Sequence, residues 1–247
     1  MGRYLVLAAM ALALAACGGG GGALSLDPVA SAADKTAKQG SERFTLRVEG
    51  GLASGRYVAF RMHGVINNSD DSGRFSMVAT EAGKSFRADG IDDGSMLYLR
   101  SNAFQSRLPD GKSWIKINVK KLAKEAGLGS LDDLQQSSPS TPLQALRASG
   151  KTVKVGTATI AGARTTKYHT IADLEKEKLA DQIGVKRLPV DVWIDGKGLV
   201  RKMSFAVSPP DPTKAAKFTY VLTGFGPTMT VEPPPSDRTV DIFDLKG

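Results

Sequence analysis

Most of this chain alternates apolar and polar side chains with a period of two, in short segments that turns interrupt. In one segment Phe44, Leu46 and Val48 share one face of an extended strand, and the polar residues between them share the other. Such strands are typical of an antiparallel sheet with one face packed on the core and the other face exposed to solvent. Similar segments lie at 58–66, 75–79, 85–88, 95–100, 114–119, 151–159, 164–171, 190–194, 199–207 and 218–222.

Several shorter stretches change to helical spacing. Asp27 and Pro28 form an N-cap and a first-turn proline, which predicts a helix over 29–39 that ends at Gly40. Further helices are predicted at 119–126, 131–136, 141–150 and 174–183. The apolar sheet face needs a cover, and these helices can supply it. We therefore predict an α+β fold, a long curved antiparallel sheet of about ten strands that wraps a few short helices on its concave face.

The N-terminus predicts export and lipid attachment. An uncharged apolar stretch covers residues 4–16 after a short positive start. As a helix it would span about 20 Å, too short for a hydrocarbon core of roughly 30 Å but typical of a signal peptide. Residues 14–17 read Leu-Ala-Ala-Cys, the order of a bacterial lipobox, so we expect cleavage before Cys17 and acylation of its thiol.

This interpretation divides the chain into four parts. They are the signal peptide (1–16), the lipidated cysteine with a glycine-rich tether (17–27), the folded domain (28–230) and a Pro-rich extended tail (231–247). Cys17 is the sole cysteine, so packing and not a disulfide has to stabilise the domain. The expected location is the extracytoplasmic face of the cell membrane, where the lipid anchor makes the membrane the first partner.

Charge and motifs narrow the function further. The formal net charge is +8, but the Lys and Arg residues are scattered and export is expected, so we predict no nucleic-acid partner. The two histidines, His63 and His169, stand in predicted strands on polar or mixed faces, and neither a Gly-x-Ser-x-Gly elbow nor a His-Glu-x-x-His pair occurs. The acidic pairs at 70–71 and 92–93 lie close to glycines in predicted turns. We therefore predict no enzyme, no metal site and no cofactor.

Methionine and phenylalanine side chains on the inward faces are candidates for lining an apolar cavity. They are Phe60, Met62, Phe75, Met77, Met203 and Phe205. Methionine is unbranched and flexible, so it adapts to irregular or changing ligand shapes. Each of these residues taken alone also fits an ordinary packed core, and both interpretations stay open.

Several segments together resemble the actinobacterial lipoproteins of the LppX, LprA, LprF and LprG group. The hairpin VDVWID at 190–195 and GLVRKM at 198–203 is similar to the central hairpin of these proteins. Shorter matches are the WIK strand at 114–116, the IAGARTTKY strand at 160–168 and the Phe-Gly pair at 225–226. The Pro-rich, acidic ending also fits, and the resemblance covers most of the chain from Ala30 onward.

The resemblance implies a half-barrel like that of the LolA and LolB lipoprotein carriers, which wraps helices and leaves an apolar cavity for acyl chains. It also implies a lipid or glycolipid ligand that the anchored protein carries between envelope sites, with an envelope transporter as a candidate partner. Only Cys17 matches a functional position of the group outright. The residues alone leave an alternative, a structural or sensory lipoprotein with a packed core that binds envelope polymer or a protein.

Overall fold

The structure is a computed structural model that describes residues 27–51, 57–81, 84–118, 121, 141–175, 185–207 and 215–245. The strands of this part of the chain are β1 (Ser41–Gly51), β2 (Tyr57–Asn67), β3 (Gly73–Glu81), β4 (Lys84–Asp92), β5 (Leu97–Ser101), β6 (Trp114–Ile117), β7 (Ser149–Ile160), β8 (Ala163–Asp173), β9 (Arg187–Asp195), β10 (Val200–Val207), β11 (Ala216–Gly226) and β12 (Thr239–Asp241). The helices are α1 (Pro28–Ala37) and α2 (Thr141–Arg147). Short 3-10 turns lie at Gln105–Arg107, Ser236–Arg238 and Ile242–Asp244.

All these strands belong to one open, curved sheet in the order β12-β6-β5-β4-β3-β2-β1-β11-β10-β9-β8-β7. Neighbouring strands are antiparallel, apart from β12, which is parallel to β6. Because β1 pairs with β11, the N-terminal half of the sheet (β1–β6) joins the C-terminal half (β7–β11) along this pair. The predicted antiparallel sheet is confirmed, and the described residues form twelve strands where the sequence predicts roughly ten.

The additional strand β12 comes from the segment predicted as an extended Pro-rich tail. Its three residues pair with Trp114, Ile115 and Lys116 of β6, and the Lys116 ammonium lies 3.2 Å from the Asp241 carboxylate. The Ser113 amide also donates to the Arg238 carbonyl at 2.9 Å. A strand of three residues is too short to show an alternating pattern in sequence, which is why it was not predicted.

Helix α1 begins as the sequence predicts. The Asp27 side chain accepts hydrogen bonds from the amides of Val29 and Ala30, and Pro28 occupies the first turn. Near the end of the helix, the Thr36 hydroxyl donates to the Ala32 carbonyl at 2.7 Å and accepts from the Val200 amide at 2.9 Å. This second bond attaches α1 to the start of β10.

The core lies between the two helices and one face of the sheet. Leu143 and Leu146 of α2 are each 1% exposed, as expected from their predicted inward position. Helix α2 is shorter than predicted, because Gly150 lies in β7 and does not end the helix. The helices predicted at 119–126 and 131–136, and most of that at 174–183, lie outside the described residues. The fully buried core side chains include Val29, Ala33, Leu143, Leu146, Leu174, Val190, Val192, Val200, Met203, Tyr220 and Leu222.

Candidate functional site

Strand register assigns each side chain to one of the two faces of the sheet, because directly opposite residues of neighbouring strands point to the same side. We call the face with Phe44 and Leu46 the inner face, since it holds the core, and the face with Thr45 and Arg47 the outer face. One inner row crosses six strands in the order Met77, Met62, Leu46, Tyr220, Met203 and Val192.

All six residues predicted to line a cavity lie on the inner face. Phe60 and Phe205 belong to a second row with Val48 and Phe218, and Phe75 lies in a third row next to Gly64. Met203 is 1% exposed, whereas Phe60, Met62, Phe75, Met77 and Phe205 are half-buried. The structure thus places the six on one surface, and their contact with a ligand stays a prediction.

Packing fixes several of these side chains. Met62, Phe75 and Phe205 contact the buried core, and the Phe205 ring stacks on Phe218 with centroids 4.9 Å apart. The Phe75 ring lies directly over the backbone of Gly90, where any Cβ would overlap it. The glycine on β4 therefore makes room for an aromatic ring that lies flat across the next strand.

The inner face of the N-terminal half also presents accessible apolar surface. Phe86 on β4 lies opposite Ala79, which in turn lies opposite Phe60. The Phe86 residue is 39% exposed. An aromatic ring at this level of exposure, in one row with the half-buried Phe60, can contact an apolar ligand without unfolding the core.

A polar pair lies within this apolar face. Glu42 on β1 is 1% exposed, and its Oε1 accepts a hydrogen bond of 3.0 Å from the Tyr220 hydroxyl. Tyr220 also stacks on Phe44, with ring centroids 5.6 Å apart. This pair was not predicted from the sequence. The available signal is the alternation of the strand: Glu42 is an even number of positions away from Phe44 and Leu46, so all three side chains point to the same face.

Burial raises the pKa of Glu42 to about 7, although the hydrogen bond that the Tyr220 hydroxyl donates acts in the opposite direction. The Asn68 Nδ2 donates to the Gln39 carbonyl at 3.1 Å. Within the described part of the chain, Glu42 Oε2 and Asn68 Oδ1 are both buried without a hydrogen-bond partner. A proton on Oε2 would turn this oxygen into a donor, whereas the ionised carboxylate can only accept hydrogen bonds.

The outer face is polar, and both histidines are exposed on it as predicted. The Arg100 guanidinium lies 2.7 Å from the Asp89 carboxylate, and hydrogen bonds from Arg100 and Ser76 hold the pKa of Asp89 below its usual value. Asp191 contacts the Lys167 ammonium at 2.8 Å and the His169 ring at 2.9 Å. These carboxylates therefore neutralise cations on the neighbouring strands.

The two acidic pairs lie in turns, as the sequence indicates. Asp70 Oδ1 accepts from the Ser72 amide at 2.9 Å, and Asp93 Oδ1 accepts from the Ser95 and Met96 amides at 2.9 and 2.8 Å. These carboxylates satisfy the backbone of their own turns. Among the residues described, no group of three or more His, Cys, Asp or Glu side chains could hold a metal ion.

Cys17 lies outside the described residues, so its acylation stays a prediction, as does the division into signal peptide, tether, domain and tail. Neither α1 nor α2 approaches the length and apolar character that a membrane span needs, and the same holds for any helix in the described ranges.

Comparisons with known proteins place the fold. No family model matches the chain. An uncharacterised 31.2 kDa protein of Streptomyces griseus is 26% identical over 249 residues, which is 88% of this chain and 80% of the relative. A Streptomyces coelicolor protein whose name includes the word lipoprotein is 24% identical over 232 residues, 88% of this chain and 76% of the relative.

Two solved structures are similar over most of their length. The Mycobacterium tuberculosis lipoprotein LppX has a TM-score of 0.53 at 16% identity, covering 84% of this chain and 97% of LppX. LprF from Mycobacterium bovis has a TM-score of 0.53 at 14% identity, covering 84% of this chain and 95% of LprF. This chain has the LppX/LprF fold. The resemblance to the group that the motifs at 190–203 indicate is therefore confirmed at the level of the fold.

Proposed function

We propose that this protein is an envelope lipoprotein that binds an acyl chain of a lipid or glycolipid on the inner face of its sheet. The observation that supports this most is the inner row of β1–β3 and β10, in which Met77, Met62 and Leu46 are half-buried and continuous with the packed core at Met203. The residues we propose to contact the chain are the five half-buried members of the predicted set, Phe60, Met62, Phe75, Met77 and Phe205. The sixth, Met203, is 1% exposed and belongs to the core next to this surface.

The chemistry of this surface suits a flexible hydrocarbon. Methionine side chains such as Met62 and Met77 can change rotamer to follow ligands of different length and branching. Each buried methylene contributes about 0.8 kcal/mol, so a 16-carbon chain offers on the order of 10 kcal/mol before the cost of ordering it. The inner face can therefore supply the affinity without any polar contact to the chain itself.

Membrane attachment through acylated Cys17 on the extracytoplasmic face belongs to the same proposal. The lipobox at 14–17, the fold shared with the lipoprotein LppX, and the name of the Streptomyces coelicolor relative all support it. Mass spectrometry of the N-terminal peptide after expression in an actinobacterial host would test it. We expect a peptide that begins at Cys17 with an added diacylglycerol, and an unmodified or uncleaved N-terminus would contradict the anchor.

Lipid binding itself is tested by native mass spectrometry of the full chain extracted from membranes in mild detergent. We expect the wild-type protein to retain a non-covalent lipid or to take up offered phospholipid. The double variant Met62→Gln, Met77→Gln should lose most of this lipid, because two amides on the inner row would have to be desolvated against hydrocarbon. The control is Val78→Gln, which changes an outer-face residue of the same strand β3.

A wild-type protein that stays lipid-free in several mild extractions, and takes up no phospholipid, would exclude this function. Equal lipid occupancy in the inner-face double variant and in the Val78→Gln control would exclude the proposed binding surface. Transfer of the lipid between envelope sites then requires a donor and an acceptor, and an envelope transporter is the partner we propose to look for by crosslinking of the anchored chain.

A further inference from the structure

The outer face has an open groove that acyl-chain binding does not use. It has a volume of about 640 Å³ and lies over β1, β2, β10 and β11. Each of these strands contributes one cation to it, in the order Arg47, Arg61, Lys202 and Lys217. Among the described residues that line the groove, Glu49 is the single carboxylate.

Register brings two of these cations directly against each other. Arg47 on β1 lies opposite Arg61 on β2, and like charges in this position destabilise a sheet. Arg47 reaches the Glu49 carboxylate only at 3.9 Å, with both side chains more than two-fifths exposed, and such a contact contributes little in water. Within the described part of the chain, no ion pair joins Arg61 or Lys217 to a carboxylate.

Two other places on the outer face show cations that carboxylates do neutralise. On one side of the groove Asp89 neutralises Arg100, and on the other Asp191 neutralises Lys167, at 2.7 and 2.8 Å. Among the residues described, the groove is therefore a part of this face in which carboxylates at short distance do not neutralise the cations. The hydroxyl groups of Thr45 and Thr219 lie between the cations and can donate further hydrogen bonds.

We propose that this groove docks the outer face of the sheet onto the anionic phospholipid headgroups of the membrane. Phosphodiesters match the donors present, because a guanidinium binds two phosphate oxygens at once and an ammonium adds a point charge. A bound phosphate would also relieve the repulsion between Arg47 and Arg61. The inference rests on the proposed anchor for proximity, since a glycine-rich tether of this length has a reach of roughly 18 Å.

The test is a lysine acetylation footprint of the full chain, held by its own anchor on vesicles of phosphatidylcholine alone or with about one-third phosphatidylglycerol. We expect acetylation of Lys217 to slow about fivefold on the anionic vesicles and to recover at about 0.5 M salt, where screening is nearly complete. Lys154, exposed on the inner face of β7, is the internal reference and should react equally on both.

The variant Arg47→Gln, Arg61→Gln should abolish the lipid-dependent protection of Lys217, whereas the matched inner-face variant Lys154→Gln should leave it intact. Thermal unfolding of each variant shows whether the fold is retained. Equal acetylation of Lys217 on the two vesicles would overturn the proposal. Protection by inorganic phosphate without vesicles, to the same extent, would also overturn it by assigning the groove to a free anion.

The outcome is separable from that of the proposed function. A missing anchor appears as loss of the chain from phosphatidylcholine vesicles, and a missing acyl-chain site appears in native mass spectra. Neither result depends on whether Lys217 is protected by an anionic surface.

Discussion

Met203 and Met77 belong to the same inner row of one sheet, and they have opposite environments. Met203, on β10, is 1% exposed, because α1 packs on this strand and the hydrogen bond from Val200 to Thr36 holds the helix there. Met77, on β3, is half-buried. The same residue type in one row is thus part of a closed core at one position and of an accessible apolar surface at the other.

This difference extends over the two halves. In the C-terminal half many of the inner residues are fully buried, as at Val190, Val192 and Leu222, whereas β2–β4 present half-buried Met and Phe side chains and an exposed Phe86. Within one continuous sheet, the C-terminal half therefore contributes most to stability, and the N-terminal half has the more adaptable surface. A ligand can displace side chains in the N-terminal half without opening the core on which the fold depends.

The largest effect we expect is at Met203. Met203→Ala should lower the free energy of unfolding by about 3 kcal/mol, because it leaves a cavity in a region that α1 prevents from collapsing. Denaturant unfolding followed by circular dichroism measures this change.

Met77→Ala is the matched test, with an expected loss of about 1 kcal/mol or less, since solvent already reaches the side chain. Equal losses at the two methionines would contradict the distinction between the two halves.

The second effect concerns the buried carboxyl of Glu42 on β1, the strand that pairs with β11 and so joins the two halves of the sheet. Glu42 has a pKa of about 7 in the fold against 4.5 in a model peptide, so the fold favours its neutral form. The contribution of this neutral carboxyl to the free energy of unfolding is complete below about pH 4.5 and is lost as pH rises through about 7. Glu42→Gln should therefore stabilise the protein by about 2 kcal/mol at pH 8, where the wild-type carboxyl is ionised and buried.

The measurement is the free energy of unfolding of both proteins between pH 5 and 8. The variant should show a flatter pH dependence over this range, and the two curves should approach each other toward pH 5. A wild-type stability that is constant from pH 5 to 8 would show that the Glu42 carboxyl is ionised throughout.

The third effect concerns the helix cover of the C-terminal half. Asp27 caps α1 and also accepts a 2.9 Å hydrogen bond from the Ser149 hydroxyl of β7. Burial opposes the ionisation of Asp27, but hydrogen bonds from Thr152, Ala30 and Ser149 outweigh it and lower the pKa. The ionised carboxylate therefore stabilises the fold above about pH 4, and this stabilisation is lost in more acidic solution. Asp27→Ala should cost about 1 kcal/mol at pH 7.

Asp34→Ala is the control for this variant. Asp34 lies in the same helix and pairs with Arg147 at 3.0 Å on the surface, so its removal should cost less than about 0.5 kcal/mol. Thermal unfolding at pH 7 ranks the stability of the two variants. A larger loss of stability for Asp34→Ala would mean that the Asp27 cap does not hold α1 in place on the sheet.

The smallest effect on stability is expected at Phe86. Phe86→Ser should change the free energy of unfolding by less than about 0.5 kcal/mol, because the ring is already 39% exposed, and should reduce lipid uptake in native mass spectra. Val153→Ser, at a more exposed apolar residue of β7, should leave uptake unchanged. A Phe86→Ser variant with full lipid occupancy would remove this ring from the binding surface.

Strand positions and faces were predictable because alternation is a local property. Phe44, Met62 and Met203 each belong to the apolar set of side chains in their own strand, which predicts that all three lie on the buried face. The strand register confirms this. Two features were not predictable for physical reasons. The degree of burial at Met77 and Met203 depends on which strands the helices cover, and the pairing of β1 with β11 joins residues far apart in sequence.

Helix α1 also determines where a mechanical load would enter the molecule. It is the first described element after the proposed tether, and its bonds to β7 and β10 attach it to the C-terminal half. A pull from a membrane anchor would therefore pass through Asp27 and Thr36 into β7 and β10. Such a load would not enter directly at the half-buried Met and Phe side chains of β2–β4, the surface that we propose receives the acyl chain.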